Sequence, residues 1–181
     1  MLVDCDTECW ATGAYAQHYC YTSLMTRGLA LDATDWRILK NLQENGRMTN
    51  VELANRVGLS PPPCLRRVQA LEKAGIIKSF RAVLDPAKLD FEVVLFALVG
   101  LKSQAEAELE AFETRVRQWP QVRECHAISG EADFILKCVA KDLPAMQDFV
   151  IKQLTAQPNV EHVKTMLILR ESKYEPGVPI A

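Results

Sequence analysis

Apolar positions fall into two regimes along this chain. From Leu31 to Gly75 they recur at three and four residues, the period of helices that each bury one face. From Val93 onward they come as short runs and alternations, interrupted by two stretches of helical period. The first regime predicts three helices. Leu31 to Arg47 is the first: Asp32 stands as its N-cap, Leu31 and Trp36 take the staple positions, Ile38, Leu39 and Leu42 face inward, and Gly46 ends it. The second starts at Met48. Thr49 and Glu52 have the spacing of a capping box, Met48 and Leu53 that of a staple, and Leu53, Ala54 and Val57 form the apolar face. Gly58 supplies the left-handed residue that stops it. Ser60 then caps a third helix. Pro61, Pro62 and Pro63 fall in its first turn, where an amide hydrogen has no helical partner to lose. Cys64, Val68 and Leu71 form its apolar face, and Gly75 closes it.

Two short capped helices joined by Gly58-Leu59-Ser60 have the form of a helix-turn-helix, whose second helix enters the major groove of DNA. An ordinary helical hairpin with a solvated basic face shares that pattern. After Gly75 the sequence IIKSFRAVLDP alternates apolar and polar residues, which predicts a strand pair or wing with Lys78 and Arg81 near the DNA backbone. Asp85-Pro86 breaks it, and residues 85–92 read as a linker.

The second regime has a definite order. Val93 to Leu101 is an unbroken apolar run, predicting a strand buried on both faces. Ala105 to Trp119 reads as a helix with Leu109, Phe112, Val116 and Trp119 on one face, stopped by Pro120. Val122 to Ile128 and Phe134 to Ala140 are strands joined by a turn. Asp142 caps a helix through Gln157 with Leu143, Met146, Val150 and Leu154 inward, and Val160 to Leu169 is the last strand. The order β-α-β-β-α-β is ferredoxin-like, with both helices on one face of the sheet. The opposite face then needs cover, and the same face of a second copy supplies it, so a homodimer is expected. The fold class is α+β: a winged helix-turn-helix domain over residues 31–84, then a ferredoxin-like ligand-binding domain over residues 93–170. Residues 171–181, with Pro176 and Pro179, read as a tail.

Charge sharpens the division. The formal net charge is −2, which by itself argues against nucleic acid. Residues 31–90, however, hold ten Lys or Arg against seven Asp or Glu, and residues 91–181 hold ten against thirteen. The basic excess sits in the segment with the helix-turn-helix, as a DNA module requires. It is modest, so a dimer carrying two modules is the expected binding unit. Six cysteines are scattered without a CxxC pair, which suits a reducing cytoplasm better than a disulfide frame. No run approaches the length of a membrane span.

Several motifs in order resemble the Lrp/AsnC family of bacterial transcription regulators. They are LDATDWRILKNLQENGR, NVELANRVGLSPPPCLRRVQALEKAGII and, in the C-terminal half, ECHAISGEADFIL. The resemblance runs from Leu31 to about Arg170. It implies double-stranded DNA as one partner, a small amino-acid effector as another, and a homodimer that assembles further, an octamer being one form. It implies no cofactor. The DNA-binding candidates are Thr49, Asn50, Ser60, Pro62, Pro63, Arg66, Arg67, Ala70 and Lys73. Arg66 is placed to reach base edges, and Arg67, at the position of a family arginine, to meet a phosphate. For the effector the resemblance points to the turn holding Gly130, Glu131 and Asp133, and to Thr165 and Met166 on the last strand. Gly130 would let a ligand approach the backbone. Asp133 would accept from its ammonium group or hold the loop.

Residues 1–30 lie outside the resemblance. Cys5, Cys9, His18 and Cys20 are too loosely spaced for a metal site, so the segment is expected to be a disordered tail. Translation is expected to start at Met25, which leads directly into the matching region. A catalytic constellation is missing from the pattern. Cys125 and His126 are neighbours on a strand and point to opposite faces. The glutamates of residues 106–113 lie on a solvated helix face. The expectation is a regulator rather than an enzyme. The rival is an amino-acid-binding module whose winged helix contacts protein instead of DNA.

Overall fold

The computed structural model describes residues 30–180, so the expectations about Met25, the disordered tail and the Cys5, Cys9, His18, Cys20 group lie outside the described residues. The described residues form two units: one comprises residues 30–83 together with the segment from Glu175, and the other runs from Leu84 to Tyr174.

In the first unit three helices bury one small core. They are α1 (Ala33–Glu44), α2 (Asn50–Val57) and α3 (Pro61–Lys73). Each begins where a polar residue can serve as cap. Asp32 Oδ1 accepts from the amides of Thr34 and Asp35 at 2.8 and 2.9 Å, and Asp35 Oδ2 accepts from the Asp32 amide at 3.1 Å. Thr49 and Glu52 close the predicted capping box on α2. Gly58 and Gly75 both take the left-handed conformation, φ +75° and +72°, after α2 and α3. The Leu59 and Ile76 amides then reach back to Ala54 and Leu71 carbonyls at 2.9 and 3.0 Å, which satisfies the last turns. Helix α1 ends earlier than its glycine, with Asn45 as C-cap. Ile38, Leu53, Ala54, Val57, Cys64 and Leu71 are fully buried where the helices meet.

Ser60 stands at the N-cap of α3 but makes no side-chain cap bond. The reason is covalent. A cap oxygen accepts from the second or third helical amide, and here both positions are proline.

The segment after Gly75 forms no strand pair. Ile76 and Ile77 pack on the helical core, and residues 78–86 continue as irregular chain. No Gly, Pro, Asn or Asp stands between Ile76 and Leu84 to fold the stretch back on itself, so its alternating side chains lack a partner strand. The Phe80 ring lies against Gly46, where an added Cβ would come within 3.2 Å of it. The segment from Glu175 also belongs to this unit. The Gln43 side chain donates to the Val178 carbonyl at 2.7 Å and accepts from its amide at 3.0 Å.

The second unit is a four-stranded antiparallel sheet in the order β2-β3-β1-β4, with β1 Val93–Leu101, β2 Val122–Ala127, β3 Phe134–Ala140 and β4 Val160–Leu167. Helices α4 (Glu106–Val116) and α5 (Leu143–Phe149) cover one face. The buried face carries Leu95, Ala97, Val99 and Leu101 of β1 beside Phe134, Leu136, Cys138 and Ala140 of β3. Phe112 packs on Phe134 with centroids 4.9 Å apart, and Trp119 meets Phe112 and Phe149 edge-on at 6.3 and 5.6 Å. Burying a ring such as Phe134 stabilises the unit by roughly 2–3 kcal/mol.

Strand β1 departs from the expectation of burial on both sides. Val94, Phe96 and Leu98 are only half-buried, because nothing in the chain packs fully over their face. Helix α5 also differs from its predicted face. Leu143, at the first helical position, is 59% exposed, while Phe149 is buried. The chain continues from α5 as a π-helix over Val150–Leu154. That wider turn puts Leu154, five residues after Phe149, on the same inward line.

Candidate DNA-binding surface and effector turn

Helix α3 turns Cys64 and Leu71 into the core and leaves Pro62, Leu65, Arg66, Gln69, Ala70 and Lys73 exposed. These positions recur at three and four residues, so they form one stripe along the outer side of the helix. The stripe joins two cations to an amide and to Leu65, which is 45% exposed. Arginine and glutamine can pair with purine edges in the major groove, and an apolar side chain can meet a thymine methyl. Leu65 and Gln69 were absent from the sequence candidates. The signal was present in the spacing, since Gln69 points away from the Cys64–Leu71 face and Leu65 stands on its flank, one step before Arg66.

Other candidates serve the scaffold. Thr49 is spent on the α2 cap, where its hydroxyl accepts from the Glu52 amide at 3.2 Å and donates to the Glu52 carboxylate at 2.8 Å. The Thr49 amide, which donates to the Glu52 carboxylate at 2.9 Å, and then the Thr49 hydroxyl hold that carboxyl below its usual range. Asn50 Nδ2 donates to the Pro61 carbonyl at 2.8 Å and so braces the turn between α2 and α3. Pro63 is half-buried, whereas Ser60 is exposed with its hydroxyl uncommitted to a cap.

Arg67 lies off the stripe. Its Nη1 donates to Asp32 Oδ2 at 2.7 Å and to Asp35 Oδ1 at 2.8 Å. Each carboxylate therefore uses one oxygen in the α1 cap and the other on Arg67. The Asp32 carboxyl is held below its ordinary value, first by the Asp35 amide and then by Arg67. The guanidinium is shifted up by its bonds to Asp35 and Asp32. In the free protein Arg67 Nη1 is therefore committed to Asp32 and Asp35 at the start of α1.

The Gly130–Asp133 turn is built more rigidly than its exposed tip suggests. The Ile128 amide donates to the Asp133 carbonyl, and the Asp133 amide to the Val99 carbonyl, both at 2.9 Å. Asp133 Oδ2 accepts from the Leu101 amide and Oδ1 from Gln104 Nε2, both at 2.7 Å. Both carboxylate oxygens thus tie the turn to the end of β1. Of the two roles open to Asp133, the geometry shows the one that holds the loop. Gly130 has φ +139° and nothing within 4 Å of an added Cβ, so its backbone is open to a ligand. Glu131 is exposed beside it.

Thr165 and Met166 do not join this turn within one chain. They pair with Ala97 and Phe96, whereas the turn is bonded to β1 at Val99 and Leu101. Met166 lies four residues along β4 from His162, the partner of Gly100, a distance of about 13 Å. Thr165 and Met166 also point to opposite faces of the sheet, as neighbours on a strand must. The residue beside the turn on the open face is His162, whose ring lies across Gly100, where an added Cβ would collide with it.

Little else in the second unit suggests reaction chemistry. Burial pushes the Cys125 thiol up to about 11 and that of Cys138 to about 12, so both are protonated near neutral pH. Among the described residues no group of three or more His, Cys, Asp or Glu is placed to hold a metal ion. No helix among them is long and apolar enough to cross a membrane.

Comparison with known proteins agrees with this arrangement. Residues 31–78 match the family described as winged helix-turn-helix DNA-binding, and residues 94–178 that described as the Lrp/AsnC ligand binding domain. The chain is 55% identical over 143 residues to the leucine-responsive regulatory protein of Rhizobium meliloti, covering 79% of this chain and 92% of that one. It is 38% identical to the transcriptional regulator AzlB of Bacillus subtilis, with 84% and 98% covered. A transcriptional regulator of Neisseria meningitidis, solved as a complex with L-Met, superposes with a TM-score of 0.79 at 41% identity, with 83% and 97% covered. With both halves matched in order and a relative identical at more than half its aligned positions, the chain belongs to the Lrp/AsnC family of DNA-binding transcription regulators.

Proposed function

We propose that the protein reads a pseudo-palindromic DNA site as a homodimer, one α3 per half-site, and that a small amino acid tunes its assembly and affinity. The outer stripe of α3 carries this: Leu65, Arg66, Gln69 and Lys73 stand clear of the core on the helix that a helix-turn-helix inserts into the major groove. Arg66 and Gln69 meet base edges, and Ser60 and Lys73 meet phosphates. The half-covered sheet face with Val94, Phe96 and Leu98 is the dimer contact, and dimers assemble further. The protein acts by binding rather than catalysis, in the cytoplasm.

The effector site includes the exposed Gly130 backbone and Glu131, whose carboxylate suits an ammonium group. Asp133 holds the turn in place for it. Thr165 and Met166 reach such a site only from another chain, which makes ligand binding and assembly one event. Relatives named for leucine and one solved with L-Met favour an aliphatic or thioether side chain on the effector.

The test is fluorescence anisotropy on the gene's own upstream duplex across a salt series, repeated with single amino acids. Sedimentation follows assembly in the same samples. Expected are salt-dependent binding and a change in both signals with leucine or methionine. Binding that ignores salt, or that fails on every duplex, would favour a helix-turn-helix used for protein contact. An unchanged response across the amino-acid panel would remove the effector.

A further inference from the structure

We propose that Arg67 is a positioning residue for DNA recognition: it locks α3 to the start of α1 and so sets the angle at which the outer stripe is presented, and it does not meet a phosphate itself. This rests on the DNA-reading role of α3 proposed above.

The geometry is specific. One nitrogen, Arg67 Nη1, bridges Asp32 and Asp35 at 2.7 and 2.8 Å. The other oxygens of those carboxylates hold the first turn of α1 through three backbone bonds. A single guanidinium therefore ties the cap of one helix to the middle of another. Otherwise the three helices share an apolar core that includes Ile38, Cys64 and Leu71. Apolar contact is non-directional and permits a helix to roll. Two short charge-assisted bonds are directional and oppose that roll. Recognition of base edges requires the reading groups to be held within about 0.5 Å.

Charge also argues against a phosphate role. One cation against two carboxylates leaves the cluster at −1, so a phosphate approaching Arg67 meets two anions already paired with it. Asp35 is 8% exposed, so it has little freedom to swing away. Arg66 and Lys73, exposed on the stripe, carry no such opposition among the described ion pairs.

The experiment compares Arg67→Ala and Asp32→Asn with the unaltered protein by anisotropy on two duplexes. One is a site selected from random DNA by the unaltered protein, and the other is its scrambled counterpart. All measurements run across a salt series at a temperature where circular dichroism shows each variant folded. A positioning role predicts that Arg67→Ala loses about tenfold on the selected site. It loses far less on the scrambled one, because an orientation error spoils base contacts before phosphate contacts. The slope of log K against log salt should stay the same. A lost phosphate contact instead weakens both duplexes alike and flattens the slope by about 0.9, which overturns the proposal. No change on either duplex leaves Arg67 a stability residue only, and overturns it too.

Asp32→Asn decides the matter if the first variant does not fold. Asparagine caps a helix as well as aspartate does, so the cap is kept while the charge and the acceptor facing Arg67 are removed. Positioning predicts about two- to fivefold weaker specific binding. A phosphate contact predicts tighter binding, since a competing anion has gone. Failure of the unaltered protein to prefer its selected site over the scrambled one would instead remove the DNA role of α3, a different result from any of these.

Discussion

At the scale of single residues, burial decides which side chains of α3 are free to act. Leu65 has no packing role that explains it, since it stands 45% exposed between the core face and Arg66. On a helix that enters the major groove, its natural partner is the methyl group of thymine. Leu65→Ala should lower affinity for the selected site several-fold and leave the fold intact. Replacing each thymine of the site by deoxyuridine in turn should reproduce that loss at one position, and the variant should be blind to the same replacement. A variant that still senses every lost methyl group places Leu65 away from the base edges. Asp133 is the opposite case, because both its oxygens are engaged. Asp133→Ala leaves the Leu101 amide without its partner and should cost about 1–3 kcal/mol in chemical denaturation. Asp133→Asn keeps one acceptor oxygen for Leu101, and Gln104 can turn its amide to suit, so its cost should be clearly smaller. Equal losses from the two would mean that the charge, and not the acceptor geometry, holds the turn.

Elements are set by local chemistry wherever that chemistry is complete. Thr49 caps α2 and Ser60 stands at the same place on α3, but only the first makes its bond. Thr49→Ala should therefore lower stability by about 1 kcal/mol, and Ser60→Ala by less than about half of that. Thermal unfolding of the two variants side by side tests it, and a Ser60 loss as large as that of Thr49 would contradict the account. The same contrast explains how far the fold was legible in the sequence. The Thr49–Glu52 box, the glycine stops at Gly58 and Gly75, and the inward faces of α1, α2 and α4 all rest on residues within a turn of each other. What depends on distant partners was not legible. Arg67 meets Asp32 and Asp35 from 35 and 32 residues away. Leu154 joins Phe149 in the core because a π-turn shifts the helical register between them, and spacing alone does not announce that turn. In the site, the openness of Gly130 follows from being a glycine at a turn. The distance from that turn to Thr165 and Met166 follows from strand register, which motif matching does not supply.

For the whole molecule, the half-covered sheet face is the feature that one chain leaves unfinished. The face carries Val94, Phe96 and Leu98 of β1, with Ile135 and Val139 beside them on β3 and Met166 on β4. The chain itself covers part of it near Lys137, whose ammonium lies 5.6 Å from the Tyr174 ring centroid. A twofold contact through the remainder would be self-complementary, and each partner would bury what the other exposes. Leu98→Glu tests this with little harm to the single chain. Leu98 is half-buried and pairs across the strands with Lys164, so a carboxylate there has a cation at hand. In a dimer formed through this face the same carboxylate loses its water, which is strongly unfavourable. The variant should therefore sediment as a monomer at concentrations where the unaltered protein is dimeric, with a melting curve that stays cooperative. Its affinity for a duplex holding two half-sites should fall by orders of magnitude, because the second half-site no longer binds at high effective concentration. Its affinity for a single half-site should be unchanged, since α3 and its stripe are untouched. A variant that remains dimeric with full two-site affinity would move the dimer contact to another face of the molecule.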